Sequence, residues 1–166
     1  MTSLFAGVIQ ALIWASSTPK YPRFADVMSK HGYDWRAHEV TTEDGYILTT
    51  FHILGKSGQP RQPATSKKGT VLCQHGAYED GADWLISFTG TPFHFHLVDQ
   101  GYDVWLSNAR GTDYSQKHVS LSAEDDDDDY WLFGWAQMGL YDNTANIRMI
   151  KEKTGVDKLY YIGYSQ

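Results

Sequence analysis

The chain has 166 residues, of which 42% are hydrophobic and 14% aromatic, so it carries ample apolar material for the core of one globular domain. Its net charge of −6, from 14 basic and 20 acidic residues, argues against a nucleic-acid partner, because a phosphate backbone requires a basic surface. The single cysteine, Cys73, excludes an internal disulfide framework.

The first 17 residues differ from the rest because they contain no charged side chain. Their apolar run from Leu4 to Ala15 is interrupted only by Gln10 and ends in small residues, which is typical of a secretory signal peptide. The alternative is a first helix that packs on the domain. We predict a signal peptide over residues 1–17 and a domain over residues 18–166. The run is shorter than the roughly 20 apolar residues of a membrane span, so we expect no transmembrane segment.

Residues 18–69 predict a short helix followed by an antiparallel hairpin. The Asp44-Gly45 pair between two β-prone runs is a hairpin signal. The predicted elements are a helix over 24–34 ended by Gly32, strands over 37–41 and 46–54, and a solvated loop over 55–69.

From residue 70 onwards the pattern changes to alternating strands and helices. The predicted strands, all of the buried type, cover 70–74, 102–107 and 159–162. One predicted helix runs from Pro92 to Gly101, with an apolar side formed by Phe93, Phe95, Leu97 and Val98. A second predicted helix, ended by Gly155, has an apolar stripe formed by Trp135, Met138, Tyr141, Ala145 and Met149. A hairpin followed by βαβαβ predicts an α/β fold with a parallel sheet, the N-terminal part of an α/β-hydrolase fold.

A candidate nucleophile follows the last predicted strand. Gly163-Tyr164-Ser165-Gln166 is the front of a nucleophile elbow, the sharp turn that exposes a serine hydroxyl above a sheet, and the fold places that turn after the third parallel strand. The alternative is an ordinary serine in a strand-to-helix loop. We predict that Ser165 is the nucleophile.

Two backbone N–H groups are the candidate oxyanion hole. In this fold one donor is the residue after the nucleophile, here Gln166, and the other comes from the loop after the first parallel strand. Ala77 follows His75-Gly76 in that loop, so we predict that its N–H is the second donor. The alternative is a plain turn in which Gly76 serves a positive φ.

The remaining polar clusters predict no metal or cofactor site. In this fold the triad carboxylate and histidine follow the serine, so none of the seven histidines, which all precede Ser165, is a candidate base. His94 and His96 are two apart, which on a helix turns them to different faces, and the Asp125–Asp129 run lacks the glycine and glutamate of an EF-hand loop. We interpret that run as a solvated loop.

With these pieces placed, the sequence resembles the acid lipase family of the α/β-hydrolases, the group of gastric and lysosomal acid lipases. The similar segments run collinearly from about residue 20 to residue 166: His38–Leu48, Gln74–Gly76, Gly101–Gly111, Tyr114–His118, Tyr141-Asp142, Thr154-Gly155 and Lys158–Gln166. The chain has Tyr164 where the family has histidine, and Ala77 where it has leucine.

The resemblance implies a serine hydrolase of lipid esters, triacylglycerols or sterol esters, that needs no cofactor and is secreted or lysosomal. It maps Ser165 to the nucleophile and Gln166 to an oxyanion donor, and it implies a lipid ester substrate and contact with a lipid–water interface. It covers the family's first half only, so we expect the 166 residues alone to be inactive and prone to aggregation. The alternatives are a truncated, non-catalytic module that binds lipid or a partner, and an acyltransferase on the same fold.

Overall fold

The structure is a computed structural model that describes residues 20–87, 90–124 and 128–165. The predicted signal peptide over residues 1–17, the oxyanion donor Gln166 and residues 125–127 of the acidic run lie outside the described residues.

The described chain forms helices on both faces of one mixed sheet. The helices are α1 Pro22–His31, α2 Phe93–Asp99, α3 Trp135–Gln137 and α4 Asn143–Thr154, with a π-helical segment Met138–Asp142 between the last two. The strands are β1 Tyr33–Thr41, β2 Tyr46–Lys56, β3 Thr70–Gln74, β4 Asp103–Leu106, β5 Lys117–His118 and β6 Tyr160–Gly163. Short 3₁₀ turns are Ala64–Ser66, Asp83–Leu85 and Asp128–Trp131.

The strand order β1-β2-β4-β3-β6, with β5 paired to β2, contains both parts of the predicted topology. β1 pairs with β2 antiparallel through the hairpin at Asp44-Gly45, and β3 pairs in parallel with β4 and β6. The α/β-hydrolase fold class, a hairpin followed by βαβαβ, is therefore confirmed.

Alternation along the parallel strands supplies two core layers. Val71 and Cys73 of β3 face α1 and α2, where they join a cluster that contains Phe24 and Phe95. The intervening Leu72 faces the other way, and with Trp105 it packs on α4 through Met149 and Ile150. Burial on both faces explains why the inner positions of β3 and β4 are apolar on both sides of the sheet.

The boundary between α1 and β1 lies earlier than the sequence predicts. Gly32 ends α1 in the left-handed conformation, with φ of 72°, but β1 already begins at Tyr33 rather than residue 37. Tyr33 is held there because its ring stacks on Phe95 and its hydroxyl donates to Asp99 at 2.8 Å. These tertiary contacts come from α2, so no local pattern reports them.

The predicted helical stripe from Trp135 to Met149 is wrong in its first half. Trp135 is 73% exposed, whereas Ala145 and Met149 are buried. The π-helical segment between them bonds i to i+5, which adds a residue to the turn and shifts the phase of the stripe.

Two further apolar predictions are corrected. Phe93 is exposed and His94 is buried in its place, because neighbouring helical positions lie on different faces and α2 turns His94 towards Trp84. Tyr160 of β6 is 60% exposed although this strand was predicted to be buried, because β6 is the edge strand of the described sheet and pairs only with β3.

Candidate active site

Three loops meet where the parallel strands β3, β4 and β6 end. They carry His75-Gly76-Ala77 after β3, Ala109-Arg110 after β4 and Tyr164-Ser165 after β6. Carboxyl ends of parallel strands share one edge of a sheet, so residues from all three loops can act on one ligand.

Ser165 follows β6 with its backbone in the left-handed region, at φ of 63°. Such a conformation costs a non-glycine residue about 1–2 kcal/mol and clusters at functional sites. The Tyr164 N–H donates to the Gln74 carbonyl oxygen at 3.2 Å, which carries the β3–β6 pairing into the turn. Ser165 therefore follows β6 in a strained conformation, and its role as the nucleophile stays a prediction.

Gly76 lies so close to the Ser165 turn that a side chain there would force the turn to shift. A Cβ built on Gly76 would lie 3.0 Å from Ser165 Cβ and 3.2 Å from the Tyr164 carbonyl oxygen. Gly76 has no positive φ, so the alternative of a plain turn that needs glycine for its conformation is not supported. The glycine instead permits close approach of two backbones.

The Ala77 N–H is a free donor beside this contact. It donates to no acceptor among the residues that the structure describes. The neighbouring Gly76 N–H, by contrast, donates to Glu79 Oε2 at 3.1 Å. Ala77 thus has the free backbone group that the predicted oxyanion role requires, while the second predicted donor, Gln166, lies outside the described residues.

His75 holds the Gly76 turn against the loop after β4. Its Nε2 accepts the Ala109 N–H at 3.0 Å, so the proton sits on Nδ1, which donates to the Gly76 carbonyl oxygen at 2.8 Å. Both ring nitrogens are therefore occupied in a buried side chain, as expected for a structural histidine.

Arg110 lies buried below the site between two carboxylates. It binds Asp142 through Nε at 2.9 Å and Nη2 at 2.7 Å, and its own N–H donates to the same carboxylate at 3.0 Å. Its Nη1 and Nη2 bind Asp44 at 2.6 and 2.9 Å, and the guanidinium lies 3.9 Å from the centroid of the Tyr46 ring. The three hydrogen bonds to Asp142 fix the loop that holds His75.

Sequence reasoning did not assign a role to this ion cluster. Burial of Asp44 opposes ionisation, but the hydrogen bonds from Arg110 and Thr42 outweigh it and lower the pKa of Asp44. Asp142 is the last residue of the π-helical segment, and Asp44 lies in the hairpin turn. One sequence signal could have pointed to the cluster. Arg110 lies in the Asn108–Gly111 loop directly after a buried strand, and an arginine buried there needs an acidic partner.

A cavity of about 690 Å³ opens beside the three loops. Its size suits a small organic ligand. Gly76 and Ala77 line it, together with Arg23, Asp80, Trp131 and Trp135. Ser165 is not among its lining residues but lies next to Gly76, which is.

Metal-ligating side chains do not gather elsewhere in the residues that the structure describes, where no group of three or more His, Cys, Asp or Glu could hold an ion. His94 is buried, and its Nδ1 lies 3.0 Å from the Trp84 carbonyl oxygen. Burial lowers the pKa of His94 to about 4.

The fold and the three-loop edge define an α/β hydrolase. The chain belongs to the alpha/beta hydrolase fold family, whose model matches residues 69–166. A second model, described as a partial alpha/beta-hydrolase lipase region, matches residues 24–88. These two matches, together with the lipase relatives described next, confirm the resemblance to the acid lipase family.

The relatives are named as lipases. The chain is 39% identical over 142 residues to mouse lipase member K, covering 86% of this chain and 35% of the relative. It is 38% identical over 135 residues to rat gastric triacylglycerol lipase, covering 81% of this chain and 33% of the relative. The chain thus spans about a third of the length of the curated relatives that it matches.

A solved structure shares the fold. The Pyrococcus furiosus esterase Pf2001 superposes with a TM-score of 0.51 at 19% identity, covering 90% of this chain and 44% of the esterase chain. Within the described ranges, no helix has the length and apolar character that crossing a membrane requires.

Proposed function

We propose that this chain carries the nucleophile and the oxyanion donors of a serine hydrolase that cleaves lipid esters, either triacylglycerols or sterol esters. The observation that carries the proposal is Ser165, strained at φ of 63° and packed against Gly76. The lipase names of the relatives support the substrate class, and the rat relative's name specifies triacylglycerol.

In the proposed reaction, the Ser165 hydroxyl oxygen attacks the ester carbonyl carbon while a histidine takes its proton. The carbonyl oxygen becomes an oxyanion that accepts hydrogen bonds from the N–H groups of Ala77 and Gln166. Collapse of the intermediate expels the alcohol, which receives the proton, and water then hydrolyses the acyl-serine.

The histidine that accepts this proton is not His75. Its Nε2 already accepts the Ala109 N–H, and its Nδ1 donates to the Gly76 carbonyl oxygen. Because the fold orders its triad as serine, carboxylate, histidine, we assign both partners to sequence that follows Ser165 in the protein's full reading frame. We also propose that residues 1–17 direct the protein to secretion or the lysosome, and that it acts at a lipid–water interface.

The test is covalent labelling of the protein, expressed from its full reading frame, with a fluorophosphonate probe. Ser165→Ala should abolish labelling and lower ester hydrolysis by about 10³-fold or more. The matched control is Ser120→Ala, because Ser120 Oγ lies 3.4 Å from His118 Nδ1 on the surface and is itself a serine beside a histidine. Labelling that survives Ser165→Ala, or that is lost in Ser120→Ala, would refute the proposal, and a full-frame protein that is never labelled would favour the non-catalytic module.

A further inference from the structure

A second cavity, of about 410 Å³, lies at the amino ends of β3 and β4, at the opposite edge of the sheet from Ser165. We call it the amino-end cavity. Its charged and titratable lining includes Arg36, His38, Arg61, Lys67, Asp103 and Lys153.

The lining is cationic although the chain as a whole carries a net charge of −6. It has four cationic side chains and a single carboxylate, Asp103. The four cations come from β1, the loop before β3, and α4, so no run of basic residues in the sequence marks the place.

Asp103 has no capacity left to neutralise the remaining cations. Its carboxylate accepts from Trp105 Nε1 at 2.7 Å, His52 Nε2 at 2.9 Å and Lys67 Nζ at 3.0 Å, with Thr70 Oγ1 at 3.4 Å. Although burial raises the pKa of Asp103, these hydrogen bonds and the nearby charges outweigh it and lower the pKa to about 2. Asp103 is therefore an ionised anchor for Lys67.

Arg36 and Lys153 have no ion-pair partner within the described part of the chain, and Arg61 reaches only Asp34 at 3.4 Å on the surface. The buried Nε2 of His38 also has no hydrogen-bond partner among the described residues. Burial, followed by the charges of Lys153, His52 and Arg36, lowers the pKa of His38 to about 4.

We propose that the amino-end cavity binds a phosphate group through Arg36, Lys153 and Lys67. A phosphate carries up to two negative charges and several acceptor oxygens, so it can engage separate cations from several directions, whereas a carboxylate has two oxygens only. The cavity volume leaves room for the remainder of a phosphomonoester, either a soluble metabolite or a lipid headgroup.

The first test is isothermal titration of the full-frame protein with sodium phosphate, compared with sodium chloride at equal ionic strength. Saturable binding of phosphate and none of chloride is expected. Heats that do not saturate, or that match those of chloride, would overturn the proposal. The readout does not use ester hydrolysis, so it is independent of the function proposed for Ser165.

The second test uses matched charge removals on one helix. Lys153→Gln should weaken phosphate binding about tenfold, the effect of losing one charge-assisted hydrogen bond. Lys151→Gln is the control, because Lys151 is exposed two residues earlier and does not line the cavity. Equal weakening by both substitutions would indicate diffuse electrostatic attraction and overturn the site.

The third test separates the two sources of phosphate. Sedimentation with phosphatidylcholine vesicles that contain phosphatidic acid, competed by free phosphate and weakened by Lys153→Gln, would support a lipid headgroup. Saturable phosphate binding without vesicle binding would support a soluble phosphomonoester. Binding of neither probe would overturn the proposal.

Discussion

At the carboxyl ends of the parallel strands, loop backbone lines the cleft beside charged side chains of both signs, whereas the charged side chains at the amino ends are cationic except for Asp103. The first edge offers the N–H of Ala77, which donates to no acceptor among the described residues, together with a strained Ser165 and a glycine packed tightly against it. The second offers Arg36 and Lys153, next to Lys67, whose charge is already paired with Asp103.

One sheet can support two kinds of recognition in this way. Backbone groups at the carboxyl edge are fixed by the fold itself, so they cost no reorganisation when charge develops on a substrate. Long side chains at the amino edge lose conformational freedom when a ligand binds. A ligand that already carries charge can offset this loss through its attraction to the cations. Substitutions that separate these two behaviours test the comparison.

The largest effect should come from Arg110→Met, which removes the support below the carboxyl edge. It leaves Asp142 buried without its cation, so the free energy of unfolding should fall by about 3–5 kcal/mol, as measured by urea denaturation. Arg23→Met is the control, because Arg23 also binds two carboxylates, Asp80 and Asp83, but is half exposed and should contribute only about 0–1 kcal/mol. Equal losses in the two variants would contradict the role of burial.

Gly76→Ala should act on the carboxyl edge more selectively. The new Cβ would meet Ser165 Cβ at 3.0 Å, so the turn must shift, and we expect at least a tenfold slower reaction with the fluorophosphonate probe and a stability loss of about 1–3 kcal/mol. Gly139→Ala is the control, because nothing lies within 4 Å of a Cβ at that glycine. An unchanged labelling rate in Gly76→Ala would show that the contact does not position the serine.

The smallest effect concerns pH dependence at the amino edge. Because the folded pKa of His38 is about 4 and its ordinary value is 6.5, the unfolded chain takes up the proton first as pH falls, and stability falls between pH 6.5 and 4. His94 contributes in the same window, while Asp103 acts only below its ordinary value of 3.8. His38→Gln should therefore remove about half of this slope, up to about 1 kcal/mol per pH unit.

Urea midpoints at pH 4.5, 5.5 and 7 in the parent and in His38→Gln measure that slope. The comparison uses the difference between pH values in each protein, so a constant loss from the missing ring contact with Trp105 cancels. Parallel curves for the two proteins would mean that His38 titrates alike in the folded and unfolded chain.

The sequence predicted the elements whose cause is local. The buried strand over 70–74 has the predicted bounds, and Gly155 ends α4 in the left-handed conformation, as its position after the lysine-rich last turn indicates. It failed where a distant segment decides the outcome. Tyr33 joins β1 because of contacts from α2, and Trp135 turns outwards because the π-helical segment changes the phase.

The candidate site divides in the same way. Gly76 and Ser165 carry motif signals, and they lie next to each other in the structure. Arg110 could not be placed beside Asp44 and Asp142 from the pattern alone, because these partners are 66 and 32 residues away. The amino-end cavity was missed for a related reason, since its cations are dispersed over several elements.

The Arg110 cluster also has a consequence for synthesis of the chain. Asp44 has already been translated when Arg110 is added, but Asp142 is added 32 residues later. Until then the nascent arginine has only one of its two carboxylates, and the loop that holds His75 lacks its anchor. The ribosome therefore completes the strands β3 and β4 well before the loop after β4 can acquire its final shape. Proteolysis of stalled nascent chains of increasing length should show protection of this loop only after residue 142 has emerged.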